Sequence, residues 1–139
     1  HLWATLLGLG ETGAMIEMII GLGIVFIGIT LIFRGWRLVY SARQKDELVT
    51  EGVYRYMRHP QYTGIYLVLF GQLIHWPTLP TLLLFLPIVY IYYHLAKKEE
   101  KAMLENFGRQ YEIYVQQVPM FFPKIVNWGK VLCGGAKAV

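Results

Sequence analysis

The chain has 139 residues, of which 55% are hydrophobic and 16% charged, and its formal net charge is +4 at pH 7. A charge content well below the ~25% of soluble domains, with this much apolar sequence, excludes a disordered chain and disfavours an ordinary soluble enzyme. The length predicts one domain over residues 1–139. The basic residues suit the flanks of membrane helices better than nucleic-acid binding. The single cysteine, Cys133, excludes an internal disulfide and a cysteine-rich metal site.

Just before the first long apolar run, Gly8, Gly10 and Gly13 have the Gly-x-Gly-x-x-Gly spacing of a dinucleotide fingerprint. That fingerprint needs a preceding strand and a surrounding parallel sheet, for which this chain has no room. We therefore interpret these glycines as a loop at the start of a helix.

The apolar run Met15–Phe33 predicts a transmembrane helix, since about 20 residues cross a hydrocarbon core of ~30 Å. It carries one charge, Glu17. Gly21 and Gly28 share a face of this helix, because they lie two helical turns apart. That face either admits a closely packed neighbouring helix or faces lipid.

A second apolar region, residues 59–96, contains no Lys, Arg, Asp or Glu and has the sequence Trp76–Pro80 in its middle. The two prolines of this sequence break a helix and favour a turn. The prediction is a helical hairpin over Tyr62–Leu95, with the arms Tyr62–His75 and Thr81–Leu95. With the first run, this gives an all-α polytopic integral membrane protein with about three transmembrane helices.

The basic residues fall into two groups that lie on one predicted side of the membrane. Six occur in the loop from Arg34 to Arg58, and the other seven occur from Lys97 onward. With three crossings, this loop and this tail share a side, and the N-terminus and the proline turn share the other. The positive-inside rule predicts that loop 34–58 and the C-terminal tail are cytoplasmic.

The C-terminal tail is predicted to be an amphipathic helical segment. Charged and apolar residues over Lys97–Phe107 predict one helix, which Gly108 ends. The apolar spacing over Tyr111–Val118 predicts a second short helix. Three aromatic residues of the tail are suited to the headgroup level of the membrane: Phe121, Phe122 and Trp128.

The positions of the histidines disfavour a metal or haem site. His75 lies at the outer end of the first hairpin arm and His94 at the inner end of the second, about a membrane thickness apart. His59 and His94 share a side, but two histidines without a third kind of ligand indicate a metal only weakly. A haem- or quinone-binding electron carrier is therefore the least favoured function.

Two short motifs place titratable groups at one predicted membrane face. Arg58-His59-Pro60 combines a cation, an imidazole and a rigid first helical turn, and Glu99-Glu100 follows the last membrane helix. Each motif alone is consistent with a membrane anchor or a solvated, ion-paired helix face. Together they favour a functional site, in which a carboxylate would hold an ammonium or sulfonium group.

Three blocks follow one another between Asp46 and Pro123. They are Leu48-Val49-Thr50-x-Gly52-Val53-Tyr54, then Arg58-His59-Pro60-x-Tyr62-x-Gly64, then Glu99-Glu100 with Phe107-Gly108-x-x-Tyr111-x-x-Tyr114 and Val118-Pro119. Their order and spacing resemble the isoprenylcysteine carboxyl methyltransferase family, to which the phospholipid N-methyltransferases are related. The resemblance implies an integral membrane methyltransferase with a cofactor-binding part over residues 46–123. It also implies S-adenosylmethionine as cofactor, bound without a Rossmann domain.

The resemblance further implies roles for individual residues. His59, Glu99 and Glu100 would form the catalytic group, and Glu99 would also hold the amino-acid end of the cofactor. Backbone groups of residues 46–49 would line the cofactor, although only Leu48 and Val49 match the family in identity. The full set implied to bind the cofactor is Asp46, Glu47, Leu48, Val49, Tyr54, His59, Pro60, Gln61, Tyr62 and Glu99.

One position departs from the family pattern and concerns the substrate. The carboxyl methyltransferases have an arginine four residues before the cofactor-binding glutamate, where this chain has Leu95 beside His94. A histidine is a weaker anion anchor than an arginine. The predicted acceptor is therefore a lipid-like or small amphiphilic molecule methylated on a carboxylate, an amine or a thiol. The alternative is a non-catalytic membrane protein that binds the cofactor or a lipid.

Overall fold

The computed structural model describes residues 2–133, and every regular element in this range is helical. Two short 3₁₀ turns, Gly52–Arg55 and Ile125–Asn127, interrupt the connecting segments. The all-α prediction is confirmed. The α-helices are α1 (Leu2–Leu6), α2 (Gly10–Lys45), α3 (Pro60–His75), α4 (Leu79–Phe107), α5 (Arg109–Gln117) and α6 (Trp128–Cys133).

Within residues 2–133, α2 and α4 are long and apolar enough to cross a membrane. Apolar side chains along α4, such as Leu83 and Leu86, are exposed, as expected for a helix that faces lipid. α3 has 16 residues, which is about 24 Å at ~1.5 Å per residue and so shorter than a hydrocarbon core of ~30 Å. The predicted count of three spans is therefore not confirmed.

α2 continues well past Phe33, where the sequence predicts its membrane segment to end. It includes Arg34–Lys45, most of which consists of good helix formers, so the first part of the predicted loop is helical. The helix ends where Asp46 adopts the left-handed conformation with φ of 52°. The extra turns of α2 carry its polar end to the level of the cavity described below.

The predicted helical hairpin is present, and its second arm is longer than expected. α3 ends at His75, and Thr78 caps α4 by accepting a hydrogen bond from the Thr81 N–H at 3.3 Å. The helix predicted over Lys97–Phe107 is present, and it continues the second hairpin arm without a break as part of α4. Residues 96–102 are Ala, Lys and Glu, which are strong helix formers and provide no stop signal. Gly108, at φ of 59°, ends the helix as predicted.

Glycines spaced seven residues apart bring α2 and α3 into backbone contact. A Cβ built on Gly28 would lie 2.6 Å from the carbonyl oxygen of Gly64. Two helical turns away, a Cβ on Gly71 would lie 2.6 Å from the carbonyl oxygen of Gly21. Of the two interpretations of Gly21 and Gly28, the closely packed neighbour is confirmed, and α3 is that neighbour.

The glycine-rich start of the chain forms a turn between α1 and α2. Gly8 and Gly10 have φ values of 67° and 62°, and the described residues before them form a helix rather than a strand. The interpretation as a loop at a helix start is confirmed for Gly8, whereas Gly10 and Gly13 lie in the first turn of α2. The Ala4 N–H donates to a carboxylate oxygen of Glu17 at 2.8 Å, which fastens α1 to α2.

The tail folds back onto the helices at two buried clusters. In one, Val131 of α6 packs with Leu31 of α2 and with Met57 in the connection to α3. The Arg34 guanidinium strengthens this contact by donating to the Val131 carbonyl oxygen at 2.7 Å. In the other, Tyr114 of α5 is buried beside the end of α4.

The glycine contact can be tested with two substitutions in α2. Gly28→Ala is expected to destabilise the protein by about 1–3 kcal/mol, because its Cβ would overlap the Gly64 carbonyl. At Gly23 a Cβ meets no atom within 4 Å, so Gly23→Ala is expected to be neutral or stabilising by up to about 1 kcal/mol. Thermal unfolding in detergent micelles measures both. Equal Tm values for the two variants would contradict the packing described.

Candidate functional site

The polar ends of the helices enclose a cavity of about 410 Å³. Its walls come from the last turns of α2, the segment that follows α2, the start of α3, the second half of α4, and α5. Two stretches of chain, residues 36–62 and 99–114, therefore contribute to one cavity. A volume in the range of ~300–1,000 Å³ is typical of sites for small organic ligands.

Most residues that the sequence assigns to cofactor binding line this cavity. The residues concerned are Asp46, Glu47, Leu48, Val49, Tyr54, His59, Gln61, Tyr62 and Glu99. Pro60 does not line it, because its ring packs against α2, where a Cβ on Gly35 would lie 3.1 Å from Pro60 Cγ. The binding role of these residues stays a prediction, whereas their common location is a feature of the fold.

His94 and Leu95, the residues predicted to face the substrate, lie outside the cavity lining. Both are exposed, because α4 turns them away from the cavity. The His94 ring instead packs edge-on against Tyr90, with a centroid distance of 4.3 Å. The expectation that His94 takes the place of the family's arginine is therefore not supported by its position.

The Glu99 carboxylate faces the cavity and has partners at and just before the start of α3. The Tyr62 hydroxyl donates to Glu99 Oε1 in a short hydrogen bond. Glu99 Oε2 lies 4.0 Å from His59 Nδ1. The Glu99 side chain is 51% exposed, so these contacts leave much of the carboxylate open to a ligand. An accessible carboxylate held by a phenol is an acceptor for an ammonium group.

Glu100 lies outside the cavity lining and holds the two residues before α3. Its Oε1 lies 3.0 Å from His59 Nε2 and 3.3 Å from Arg58 Nη1. A carboxylate accepts, so the His59 Nε2–H donates to Glu100. Nδ1 then carries the imidazole lone pair on the side that faces Glu99. Glu100 thus determines the tautomer and orientation of His59.

The imidazole of His59 is buried and neutral near pH 7. Burial lowers the pKa of His59 below its ordinary value, although the hydrogen bond and charge of Glu100 and the charge of Glu99 act to raise it. A neutral imidazole with a free Nδ1 is a hydrogen-bond acceptor and a proton acceptor.

The tail segment after α5 is joined to the start of α3 through backbone carbonyls. The Arg58 N–H donates to the Pro119 carbonyl oxygen at 2.9 Å, and the His59 N–H donates to that of Met120 at 3.1 Å. The Thr63 hydroxyl donates to the Phe121 carbonyl oxygen at 2.6 Å. These bonds fix the backbone of His59 on one side, while Glu100 fixes its ring on the other.

Buried tyrosines secure the remaining wall. The Tyr114 hydroxyl donates to the Tyr54 carbonyl oxygen at 2.6 Å and so ties α5 to the segment before α3. Burial raises the pKa of Tyr111 to about 12 and also raises the pKa values of Tyr54 and Tyr114. The three phenols therefore stay protonated and neutral at physiological pH.

An aromatic cluster adjoins the cavity where α3, α4 and the tail meet. Tyr62 and Tyr92 have ring centroids 5.1 Å apart, and Tyr66 and Phe121 have centroids 5.3 Å apart. The Phe121 ring also lies 5.8 Å from that of His59. Phe121, which the sequence placed at the headgroup level, therefore packs inward against the site.

Several residues of the lining were not predicted. Trp36, Tyr40 and Arg43 come from the part of α2 that the sequence assigned to a loop. Their spacing of four and then three residues puts them on one face of a helix, and this spacing is the signal that could have identified them. Met103 and Phe107 of α4 likewise line the cavity.

Two helices able to span a membrane are typical of an integral membrane protein, and the cavity lies at the polar ends of these helices. The sequence model of the phospholipid methyltransferase family matches residues 12–110. The chain belongs to this family.

Curated relatives agree with the expected resemblance to isoprenylcysteine methyltransferases, which is thereby confirmed. The chain is 37% identical over 90 residues to the protein-S-isoprenylcysteine O-methyltransferase of Schizosaccharomyces pombe, covering 63% of this chain and 38% of the relative. It is 32% identical over 114 residues to a probable protein-S-isoprenylcysteine O-methyltransferase of Oryza sativa subsp. indica, covering 80% and 60%.

A third relative carries a different name. The chain is 36% identical over 101 residues to the methanethiol S-methyltransferase of Crocosphaera subtropica, covering 66% of this chain and 37% of the relative. The chain thus spans between about two fifths and three fifths of the length of these relatives. No solved structure gives a significant match.

The contact between Glu100 and His59 has a measurable consequence for titration. Glu100→Gln is expected to lower the pKa of His59 further, because the carboxylate stabilises the imidazolium. NMR titration of histidine-labelled protein in micelles measures this shift. Glu112→Gln is the control, since that carboxylate pairs with Arg109 on the exposed face of α5. A His59 pKa that is raised in Glu100→Gln would contradict the assignment.

The same pKa gives the direction of a pH effect on stability. The folded-state pKa of His59 lies below the unfolded value of ~6.5. The stabilisation that the neutral His59 side chain provides is therefore fully present above pH ~6.5. It is lost as the pH falls through the pKa of His59 in the folded state. His59→Gln is expected to flatten the acid limb of the stability profile.

Proposed function

We propose that the chain forms the cofactor-binding part of an integral membrane methyltransferase that uses S-adenosylmethionine. Its acceptor is a lipid-like or small amphiphilic molecule. The observation that carries the proposal is the open Glu99 carboxylate, which faces a cavity of about 410 Å³ beside Tyr62 and His59. Membership of the phospholipid methyltransferase family and the names of the relatives support it.

The donors and acceptors around the cavity fit the amino-acid end of this cofactor, which carries an ammonium and a carboxylate group. Glu99 would accept from the ammonium group. Arg58 lines the cavity, its side chain is 10% exposed, and its Nε is buried without a hydrogen-bond partner in the described part of the chain. A bound carboxylate would supply that partner, and a buried unsatisfied donor is costly without one.

The remaining lining would hold the rest of the cofactor. Residues 46–49 follow the end of α2 and present backbone groups beside Leu48 and Val49, as the family resemblance implies. Tyr54 and Tyr111 add aromatic surface. The cofactor supplies a methyl group already activated by a sulfonium, so the protein has to orient the acceptor and exclude water.

His59 is suited to a second task, the acceptance of a proton. An amine or thiol acceptor must lose a proton during methylation, whereas a carboxylate need not. Glu100 leaves Nδ1 of the neutral His59 ring directed toward Glu99 and the cavity. Glu99 would hold the cofactor, His59 would take the proton, and Glu100 would orient the imidazole.

The lining contributed by α4 bears on the acceptor. From this helix, all of which is described, the cavity receives Glu99 and four uncharged residues, but no Lys or Arg. Leu95 occupies the position of the family's substrate-binding arginine, and His94 points elsewhere. These features favour an amine or thiol acceptor over a carboxylate. The name of the methanethiol S-methyltransferase relative is consistent with a thiol.

The same proposal includes a topology. α2, α3 and α4 would form three spans, with α3 supported along its length by the glycine contact with α2. Residues 34–58 and the residues from Lys97 onward carry all 13 basic residues and would be cytoplasmic. A soluble cofactor would then enter from the cytosol, and a lipid-like acceptor would enter from the bilayer.

Cofactor binding can be measured directly by calorimetry with S-adenosylhomocysteine in detergent. Glu99→Gln is expected to weaken binding by about 10- to 100-fold, because a hydrogen bond to a charged group contributes about 1.5–3 kcal/mol. Glu105→Gln is the matched control, since Glu105 is exposed on the same helix and outside the lining. Equal affinity of the two variants would remove the basis for the role of Glu99.

The acceptor class can be measured with methyl-labelled S-adenosylmethionine and three substrates: a prenylcysteine, a phosphatidylethanolamine and a simple thiol. We expect label in the thiol or the amine and little in the carboxylate. His59→Gln is expected to reduce methylation of these protic acceptors more than binding of S-adenosylhomocysteine. Binding without transfer to any substrate would favour the non-catalytic alternative.

A further inference from the structure

The short 3₁₀ turn Ile125–Asn127 exposes apolar side chains to an unusual degree. Ile125 is 90% and Val126 is 80% exposed, more than any other large apolar residue in the described part of the chain. Neither residue is used by the cavity or by the proposed function. Side chains of this kind are stable in an exposed position where the surroundings are apolar.

The chain on both sides of this turn is attached to membrane helices. Before the turn, Phe121 packs against Tyr66 of α3 with centroids 5.3 Å apart. After it, Val131 is fully buried against Leu31 of α2, which lies within the apolar run of that helix. Both attachments lie in helix segments that the proposed topology assigns to the membrane, which would place the turn between them at the membrane surface.

The residues around the turn complete an interfacial pattern. Lys124 and Lys130 flank it and are exposed, Phe122 is 55% exposed, and Trp128 is partly buried. An apolar tip bordered by lysines and a tryptophan combines insertion below the headgroups with attraction to anionic lipid. Two exposed side chains are also too small a surface for a stable protein–protein interface, which buries ~800 Å² per partner.

We propose that residues 122–130 form a membrane-inserting turn, with Ile125 and Val126 at the boundary of headgroups and acyl chains of an anionic leaflet. Lys124 and Lys130 contact the lipid phosphates. The turn directly follows the carbonyls of Pro119 and Met120, which bind the Arg58 and His59 backbone. Contact with lipid therefore restrains the chain segment that positions His59. This inference depends on the membrane location of the helices and is independent of the methyltransferase reaction.

Depth-dependent fluorescence quenching tests the insertion. In a Cys133→Ser background, Ile125→Cys and Val126→Cys are labelled with an environment-sensitive fluorophore. The protein is placed in nanodiscs of phosphatidylcholine and phosphatidylglycerol, with nitroxides at the headgroup, shallow or deep acyl positions. We expect shallow acyl nitroxides to quench both sites several-fold more than aqueous iodide does. Gln116→Cys, exposed on α5, is the control and is expected to respond mainly to iodide.

A second comparison tests whether the lysines and anionic lipid contribute to the insertion. Lys124→Gln with Lys130→Gln, or nanodiscs of phosphatidylcholine alone, are expected to reduce acyl quenching at Ile125→Cys without changing the circular dichroism spectrum. Iodide quenching at residues 125 and 126 equal to that at 116 would overturn the proposal. Protection from both quenchers would overturn it too, because it would mean that protein covers the turn.

Discussion

The close approach of α2 and α3 is the contact on which the rest of the molecule depends. Gly28 and Gly64 let the two backbones touch, and Gly35 continues the row to the ring of Pro60. In lipid no hydrophobic effect drives helices together, so close van der Waals packing of small residues has to hold this pair. The first residue of α3, and with it His59, is thereby set against the polar end of α2.

The site is built outward from that fixed point. His59 is held from two directions, by the Glu100 carboxylate at 3.0 Å and by the Met120 carbonyl at 3.1 Å. Consecutive glutamates on one helix then approach His59 on opposite nitrogens, because Glu99 lines the cavity near Nδ1 and Glu100 lies outside it at Nε2. The division follows from the ~100° rotation between neighbouring helical residues. One of two identical side chains thus orients His59 from outside the cavity, and the other lines the cavity.

The sequence was sufficient for features that depend on local pattern or on motif. Hydropathy located the first membrane helix and the hairpin, and the motif blocks named residues such as His59 and Glu99 that the fold brings to one cavity. The sequence was insufficient where α2 continues beyond its apolar segment, and Trp36 and Arg43 were therefore assigned to a loop. Polar helical residues carry no hydrophobic signal. The sequence also does not show that α3 is the helix that packs against the α2 glycines, because this contact is visible only in the folded structure.

The attachment of the tail to the start of α3 also has a consequence for the order of assembly. The Thr63 hydroxyl meets the Phe121 carbonyl across 58 residues of chain, and the Pro119 and Met120 carbonyls bind the neighbouring backbone. During synthesis the membrane helices can insert as they emerge, but the backbone around His59 waits for residues far downstream. Membrane insertion and completion of the cavity are therefore separate events in time. Until residues 119–121 are in place, the start of α3 lacks the hydrogen bonds that hold its backbone.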